Sequence, residues 1–296
     1  MKVGENWNYY KTPKNGKGPT KYYYYESIFT NAELITLIDS VETYNYFSTD
    51  DIAGLVSKLL GLRPRSEYLS KYNNKNSYYL KDEDSLVLAN IDEFSRILKA
   101  HQFAEIIYCN YDHNFQLIPR KKYPRIVYPL AMMWSNGYYY LVALFAPRFT
   151  PANLRMDRIT QIKAVTPTPE MKKAYQTDTN FDATTYRMEH PVMYDGKIQH
   201  ITMLYFDNNY NGMHNSIRDT FGKLATIRPT TQEELQQHLS QTVVSVSEQW
   251  MRADFKATAN GTKLFATQYS PYCKIIYPTE LQDAVKENLL SGLQLY

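Results

Sequence analysis

The chain has 296 residues, with 33 Lys and Arg against 30 Asp and Glu and 44% hydrophobic residues, an ordinary globular balance with room for two modest domains or one large one. It opens on MKVGENWNYY, which lacks the apolar segment of a secretory signal, and its longest apolar runs, IVYPLAMMW and YYYLVALFAP, fall short of the roughly 18 residues that span a bilayer, so no membrane partner is expected. Cys109 and Cys273 alone build no disulfide framework, and two buried or half-buried reduced thiols in a cytoplasmic protein are expected.

Tyrosine is in excess, 28 residues against 12 Phe and 3 Trp, which suits half-buried surfaces and stacking sites as well as plain β-sheet. The charge is uneven. From His101 to Thr168 eight basic residues face three acidic ones, a local excess of +5, while the remainder of the chain is slightly acidic. A segment of one sign points to an anionic partner better than the overall charge does.

Residues 1–26 are polar, Lys/Gly-rich and dotted with tyrosine, which reads as a connector. Thr30 and Glu33 form a capping box ahead of Leu34, Ile35, Leu37, Ile38 and Val41 at helical spacing, and Ser48 caps a second helix that Gly61 is placed to stop. After a polar stretch from Arg63, NIDEFSRILKAH reads as a third helix capped by Asn90 with Glu93. From Phe103 the period changes to two. FAEIIYCNY, RIVYPLAMMW, YYYLVALF, ANLRMD and QIKAVTP read as five short strands, and Asn136-Gly137 is a hairpin turn between two of them, the pattern of a small barrel or sandwich. TPTPE, Thr166 to Glu170, reads as a hinge. Beyond it HITMLYF, LATIRP, TVVSVS and YCKIIYP read as strands, YNGMHNSIRDTFG and EQWMRADFKATA as helices, and Pro278 starts a terminal helix to Leu293. That alternation predicts a split βαβ, ferredoxin-like sheet.

The segment YPLAMMWSNGYYYLVALFAPRFTPANLRMDRITQIKAV resembles the WYL domain, whose strand of the type Asn-Gly-x-Trp-Tyr-Leu-Val is followed by one of the form Arg-x-x-Arg-Ile. Pro129, Asn136-Gly137, Tyr139-Tyr140-Leu141, Arg155 and Asp157-Arg158-Ile159 carry the resemblance, with Tyr139 standing where Trp is usual. The helices before it look like the linker, and the residues after it like the C-terminal extension, of bacterial WYL-type transcription regulators. The resemblance implies an α+β chain divided into a connector at 1–26, a helical linker region at 27–100, a small SH3/Sm-like β-barrel at 101–168 and a ferredoxin-like extension at 186–296. It further implies a homodimer whose barrel senses an anionic effector, a nucleotide or short single-stranded nucleic acid. Such regulators usually carry a winged helix-turn-helix ahead of the linker. No such helix pair fits into residues 1–26, so double-stranded DNA is expected to be reached only through a reader that this chain does not contain. The alternative is a reader-free accessory protein that binds single-stranded RNA or DNA and modulates another machine.

By the same resemblance Tyr140, Arg155 and Arg158 form the ligand patch, a guanidinium fork gripping phosphate beside an aromatic plane. Strict alternation puts Arg155 and Arg158 on opposite faces, so a turn or bulge near Asp157 is needed to gather them. Tyr108 and Asn110, at the end of the first barrel strand, and Arg120 and Lys122, in the basic run PRKKYPR, are the further candidates. A structural reading stays open beside each: Arg155 pairs with Asp157, Tyr140 is core, and the basic run is a solvated hairpin loop.

Two patterns are set aside. DNNYNG matches the start of a calcium loop, but its twelfth position falls on Arg218 instead of a bidentate Glu, and Cys109 with His113 lacks a second pair of zinc ligands. No nucleophile elbow, P-loop or metalloprotease motif is present, so neither a cofactor nor catalysis is expected.

Overall fold

A computed structural model of the protein describes residues 7–12, 20–25, 29–44, 46–62, 85–146, 150–177, 180–207, 212–222, 225–239 and 249–296. The chain divides into two compact units, residues 1–92 and 93–296. The expected strand TVVSVS lies outside the described residues.

In the first unit, strands β1 (Trp7–Thr12) and β2 (Thr20–Tyr25) pair antiparallel from Trp7↔Tyr25 to Thr12↔Thr20, so residues 1–26, expected as a connector, carry paired strands. Tyrosine's preference for a pleated backbone favours this over an open coil. Helix α1 (Asn31–Glu42) begins as its capping box dictates: the Glu33 amide donates to Thr30 Oγ1 at 3.3 Å, and the Thr30 amide donates to Glu33 Oε2 at 2.7 Å. Helix α2 (Thr49–Gly61) is capped by Ser48, whose Oγ accepts from the Asp51 amide at 3.1 Å. Leu34 and Ile38 are buried against Val56 and Leu59, which joins the two helices. The division between the units falls within helix α3 (Val87–Lys99). That helix starts three residues before the expected cap: Asn90 is buried inside it and its amide bonds to the Leu86 carbonyl. The apolar Leu86-Val87-Leu88 run extends the helix backwards, and Ser85 Oγ accepts from the Val87 amide instead.

The second unit opens with a curled antiparallel sheet. Strands β3 (Phe103–Tyr111), β5 (Arg125–Ser135), β6 (Tyr138–Phe145) and β7 (Pro151–Arg155) pair in that order, β4 (Leu117–Pro119) lies on the β5 side of β3, and β8 (Ile159–Val165) pairs with its other edge. Since β7 runs into β8 through one 3-10 turn, Met156–Arg158, the sheet bends back on itself as a half-barrel. The Asn136-Gly137 turn has φ 49° and 77°, the left-handed pair that matches hairpin twist. Pro129 sits mid-strand where the β5–β6 register shifts, and there the missing N–H is tolerated. Helix α4 (Pro169–Tyr175) starts from the expected hinge, capped by Thr168. Its Tyr175 packs on Phe103 and Leu144 and donates to the Ile126 carbonyl at 3.2 Å, so the segment is tied to the half-barrel.

The C-terminal sheet has the order β10-β11-β9-β12, antiparallel throughout, formed by β9 (Ile198–Phe206), β10 (Thr226–Pro229), β11 (Trp250–Thr258) and β12 (Cys273–Tyr277). Helix α6 (Met213–Phe221) follows β9 and helix α8 (Ala259–Gln268) follows β11, which makes two split βαβ units and the expected ferredoxin-like topology. Residues 250–258, expected as part of a helix, form a central strand. Ala253, Phe255 and Ala257 alternate into the core, and Arg252 and Asp254 lie on the other face. A short helix absent from the sequence reading, α7 (Gln232–His238), covers that face with Leu235 against Leu204 and Trp250. Its Glu234 takes Arg228 and Arg252 at 2.5 and 2.6 Å, and these guanidinium groups hold its carboxyl far below the usual range. Helix α9 (Thr279–Leu293) starts at Pro278 as expected. Cys109 and Cys273 are buried free thiols.

Helix α5 (Ala183–Glu189) and the turn after it join barrel to extension. His190 is 5% exposed and stacks on Tyr186 with ring centroids 3.7 Å apart, and its Nδ1 lies 2.8 Å from the Tyr186 carbonyl. Burial pushes its pKa below the ordinary 6.5. A depressed folded-state pKa means that the stabilisation is complete above 6.5 and is lost as pH falls below it, because only the unfolded chain takes up the proton readily. Melting scans from pH 7.5 to 5.5 should therefore show declining stability with a contribution from this group of no more than about 1.4 kcal/mol per pH unit. His190→Gln should flatten that decline, and an unchanged slope would refute the assignment.

Candidate ligand-binding site

The half-barrel places the predicted residues in two neighbouring settings joined by Tyr108. The first surrounds Asp157, which is buried in the 3-10 turn between β7 and β8. Arg155 donates from Nε and Nη2 to the two Asp157 carboxylate oxygens at 3.0 and 2.8 Å and lies 3.6 Å above the Tyr138 ring. Tyr111 donates its hydroxyl to the same carboxylate at 3.4 Å, and the Arg158 guanidinium stands 5.7 Å from the Tyr111 ring. The turn therefore sets Arg155 on the Asp157 carboxylate and Arg158 beside the ring of Tyr111, whose hydroxyl reaches the same carboxylate. The Nε–Nη2 edge of Arg155, the fork that would grip a phosphate, is taken by Asp157. Arg158 Nε is buried without a hydrogen-bond partner among the described residues. Tyr140 pairs with Arg155 in register but is buried among Met133, Val142, Tyr186 and Met193. Its ring fills the core, and burial raises its pKa.

The second setting is a cavity of about 830 Å³, within the range of small-molecule sites. A register shift between β3 and β8 at Ile107/Tyr108 re-aims Tyr108 into its wall, where the hydroxyl also accepts from the Arg155 amide at 3.4 Å. Pro119 and Pro124 bracket the basic run and remove two backbone donors; Arg120 still donates to the Tyr108 carbonyl at 2.9 Å, and the chain leaves the ladder over 121–124, where Lys121 and Tyr123 meet the cavity. Arg120 and Lys121 line it, with Arg125 at the start of β5 stacked 4.4 Å above the Phe145 ring. Tyr123, 69% exposed, stands at its edge. Among the predicted residues, Tyr108 and Arg120 thus meet at one cavity. Asn110 and Lys122 are exposed outside its lining.

The opposite wall comes from the extension and was not legible in the sequence. Asp195, Gly196 and Lys197 precede β9, and Asn260 starts α8. Asn153 of β7 ties this wall to the barrel. Its amide and Nδ2 donate to Asp195 Oδ1 at 3.1 and 2.8 Å, its Nδ2 also to the Met193 carbonyl at 2.9 Å, and its Oδ1 accepts from Tyr186 at 3.1 Å. Four cations, Arg120, Lys121, Arg125 and Lys197, and one carboxylate, Asp195, line the cavity, so its field favours an anion. Aromatic faces at Tyr108, Tyr123 and Phe145 stand beside those cations. No group of three His, Cys, Asp or Glu side chains is placed to hold a metal ion among the described residues, nor is any helix there long and apolar enough to cross a membrane.

The family model described as WYL domain matches residues 92–164, the span of the half-barrel with the end of the helix before it. Among solved structures, the chain is similar to proteasome accessory factor B/C (PafBC) of Arthrobacter aurescens, with 12% identity and a TM-score of 0.30 over 94% of this chain and 37% of that one. It therefore spans little more than a third of that protein. A CRISPR Cas-related protein is similar at 14% identity and a TM-score of 0.43, over 92% of this chain and 75% of that one. No curated protein matches.

Proposed function

We propose, from the match of residues 92–164 to the WYL domain, that the chain is the effector-sensing and dimerisation region of a transcriptional regulator, and that its half-barrel binds an anionic ligand, a nucleotide or short single-stranded nucleic acid. The observation that carries this reading is the cation-lined cavity, where Arg120, Lys121, Arg125 and Lys197 stand with aromatic faces around a space of nucleotide size. Phosphate is held by the cations and a base by the rings. Arg158, with a buried Nε that lacks a partner among the described residues, and Arg155 act from the neighbouring cluster. Arg155 does so through the Tyr108 hydroxyl that its amide contacts, so it positions the wall more than it grips the ligand. The partition that goes with this reading is the connector, linker, barrel and extension at 1–26, 27–100, 101–168 and 186–296. The extension supplies one wall of the site and contacts between two copies. A ligand switches such a dimer only by binding its two arrangements with different affinity.

Titration of nucleotides and single-stranded oligonucleotides against the full chain at several salt concentrations tests this. The sensor reading predicts binding that does not tighten with oligonucleotide length. Arg158→Ala should weaken it by about tenfold, the loss of one charge-assisted contact, and Arg155→Ala by less. A log–log salt slope of about −3 or steeper that appears only with long oligonucleotides would favour a reader-free accessory protein that follows a strand. Undiminished binding in both variants would remove the Asp157 cluster from the site.

A further inference from the structure

Resting on the anionic-ligand reading above, we propose that the cavity takes a ribonucleotide in particular, and that Asp195 and Asn260 read the vicinal diol of its ribose. In a site built only for an anion, a carboxylate opposes the four cations that face the same space. Asp195 is nonetheless held in place there: Oδ1 accepts two donors from Asn153 at 3.1 and 2.8 Å, which fixes the orientation of the carboxylate and occupies only one of its oxygens. Oδ2 meets no donor among the described residues. Asn260 donates from Nδ2 to the Asp195 carbonyl at 2.7 Å, and this contact orients its amide and leaves its Oδ1 without a donor among the described residues. Two oriented acceptors on adjoining segments of one cavity wall call for two neighbouring donors. An ionised phosphate offers none, whereas a ribose with free 2′ and 3′ hydroxyls offers both. Gly196 lies between them. A Cβ there would stand 3.3 Å from Asn260 Nδ2, so the absence of a side chain lets the Asn260 amide pack against this segment and reach the Asp195 carbonyl. The cations of the basic run then take the phosphate and the extension's wall takes the sugar.

The test compares binding of the four ribonucleoside 5′-monophosphates with their 2′-deoxy counterparts by calorimetry on the full chain. The expected result is that a ribonucleotide binds at least about tenfold more tightly than its deoxy partner, because the deoxy ligand leaves an oriented acceptor unpaired. Asp195→Asn retains an acceptor for Asn153 and removes the carboxylate. It should reduce the ribose preference to less than about threefold while the affinity for the deoxy ligand holds or rises, since one opposing charge is gone. A purely structural Asp195 would instead lower both affinities together. Equal binding within every ribo/deoxy pair would overturn the diol assignment and leave the anion-binding reading standing. Failure of all eight to bind would overturn it as well, and the oligonucleotide titration above then decides separately whether the anion-binding reading survives.

Discussion

Reversing the charge at both Arg120 and Arg125 should weaken nucleotide binding by about 100-fold or more, on the order of 3 kcal/mol. Each substitution removes a cation from the cavity wall and places a carboxylate where the phosphate would lie, so attraction becomes repulsion at two points. Arg120 is exposed and its guanidinium makes no hydrogen bond or ion pair among the described residues, so its replacement leaves packing alone. Arg125 stacks on Phe145 at 4.4 Å and reaches the Ala146 carbonyl at 3.4 Å, and losing that contact costs about 0.5–1 kcal/mol of stability. The double variant should therefore fold and melt only slightly lower while binding fails. Lys172→Glu with Lys173→Glu, an equal change of net charge on the exposed turns of α4 away from the cavity lining, should leave affinity within about twofold. Equal losses in the two double variants would mean that overall charge and not the cavity governs binding.

Phe221→Ala should destabilise the chain by about 3–5 kcal/mol. Phe221 is 2% exposed at the end of α6. It stacks on Phe255 at 4.1 Å and meets Phe265 edge-on at 5.0 Å, and so joins α6, β11 and α8 at one point of the extension's core. Phe255 and Phe265, held by β11 and α8, cannot close over the space the missing ring leaves, so most of the cavity cost remains. The functional consequence follows from the site. Asp195, Lys197 and Asn260 belong to the extension, and residues 93–296 form one compact unit, so binding should disappear at the same lowered temperature as the fold. Urea titration of the variant measures the loss. A change below about 1 kcal/mol would show that the extension's core does not hold this unit together.

Where periodicity and local chemistry agreed, the fold was legible in the sequence. β3 and β6 span the runs FAEIIYCNY and YYYLVALF, the Asn136-Gly137 turn has its left-handed pair, and the capping box at Thr30 starts a helix where expected. Residues 250–258 read as a helix in the sequence because Met251, Arg252, Ala253 and Lys256 suit one by intrinsic preference. What makes them a strand lies elsewhere in the chain: Phe206 to Ile198 pair alongside, and Glu234 and Thr202 hold Arg252 and Asp254 on one face. The site divides in the same way. The charge run Arg120–Arg125 is local and stands out by counting. Asn153, Asp195, Lys197 and Asn260 are meaningful only once β7, the turn before β9 and the start of α8 converge, and no local pattern marks that convergence. The resemblance to WYL domains points to Arg155, Arg158 and Tyr140, and sequence alone leaves a ligand role and a structural role open for each; in the fold Asp157 occupies the first and packing takes the last into the core.

The measurement that tests the central claim most directly is native mass spectrometry of the full chain as purified from cells, with the bound material released under denaturing conditions and identified. The account predicts a dimer that carries a nucleotide or a short oligonucleotide, lost when Arg120 and Arg125 are reversed. A protein that emerges empty and then binds neither nucleotides nor single-stranded oligonucleotides in solution would contradict it.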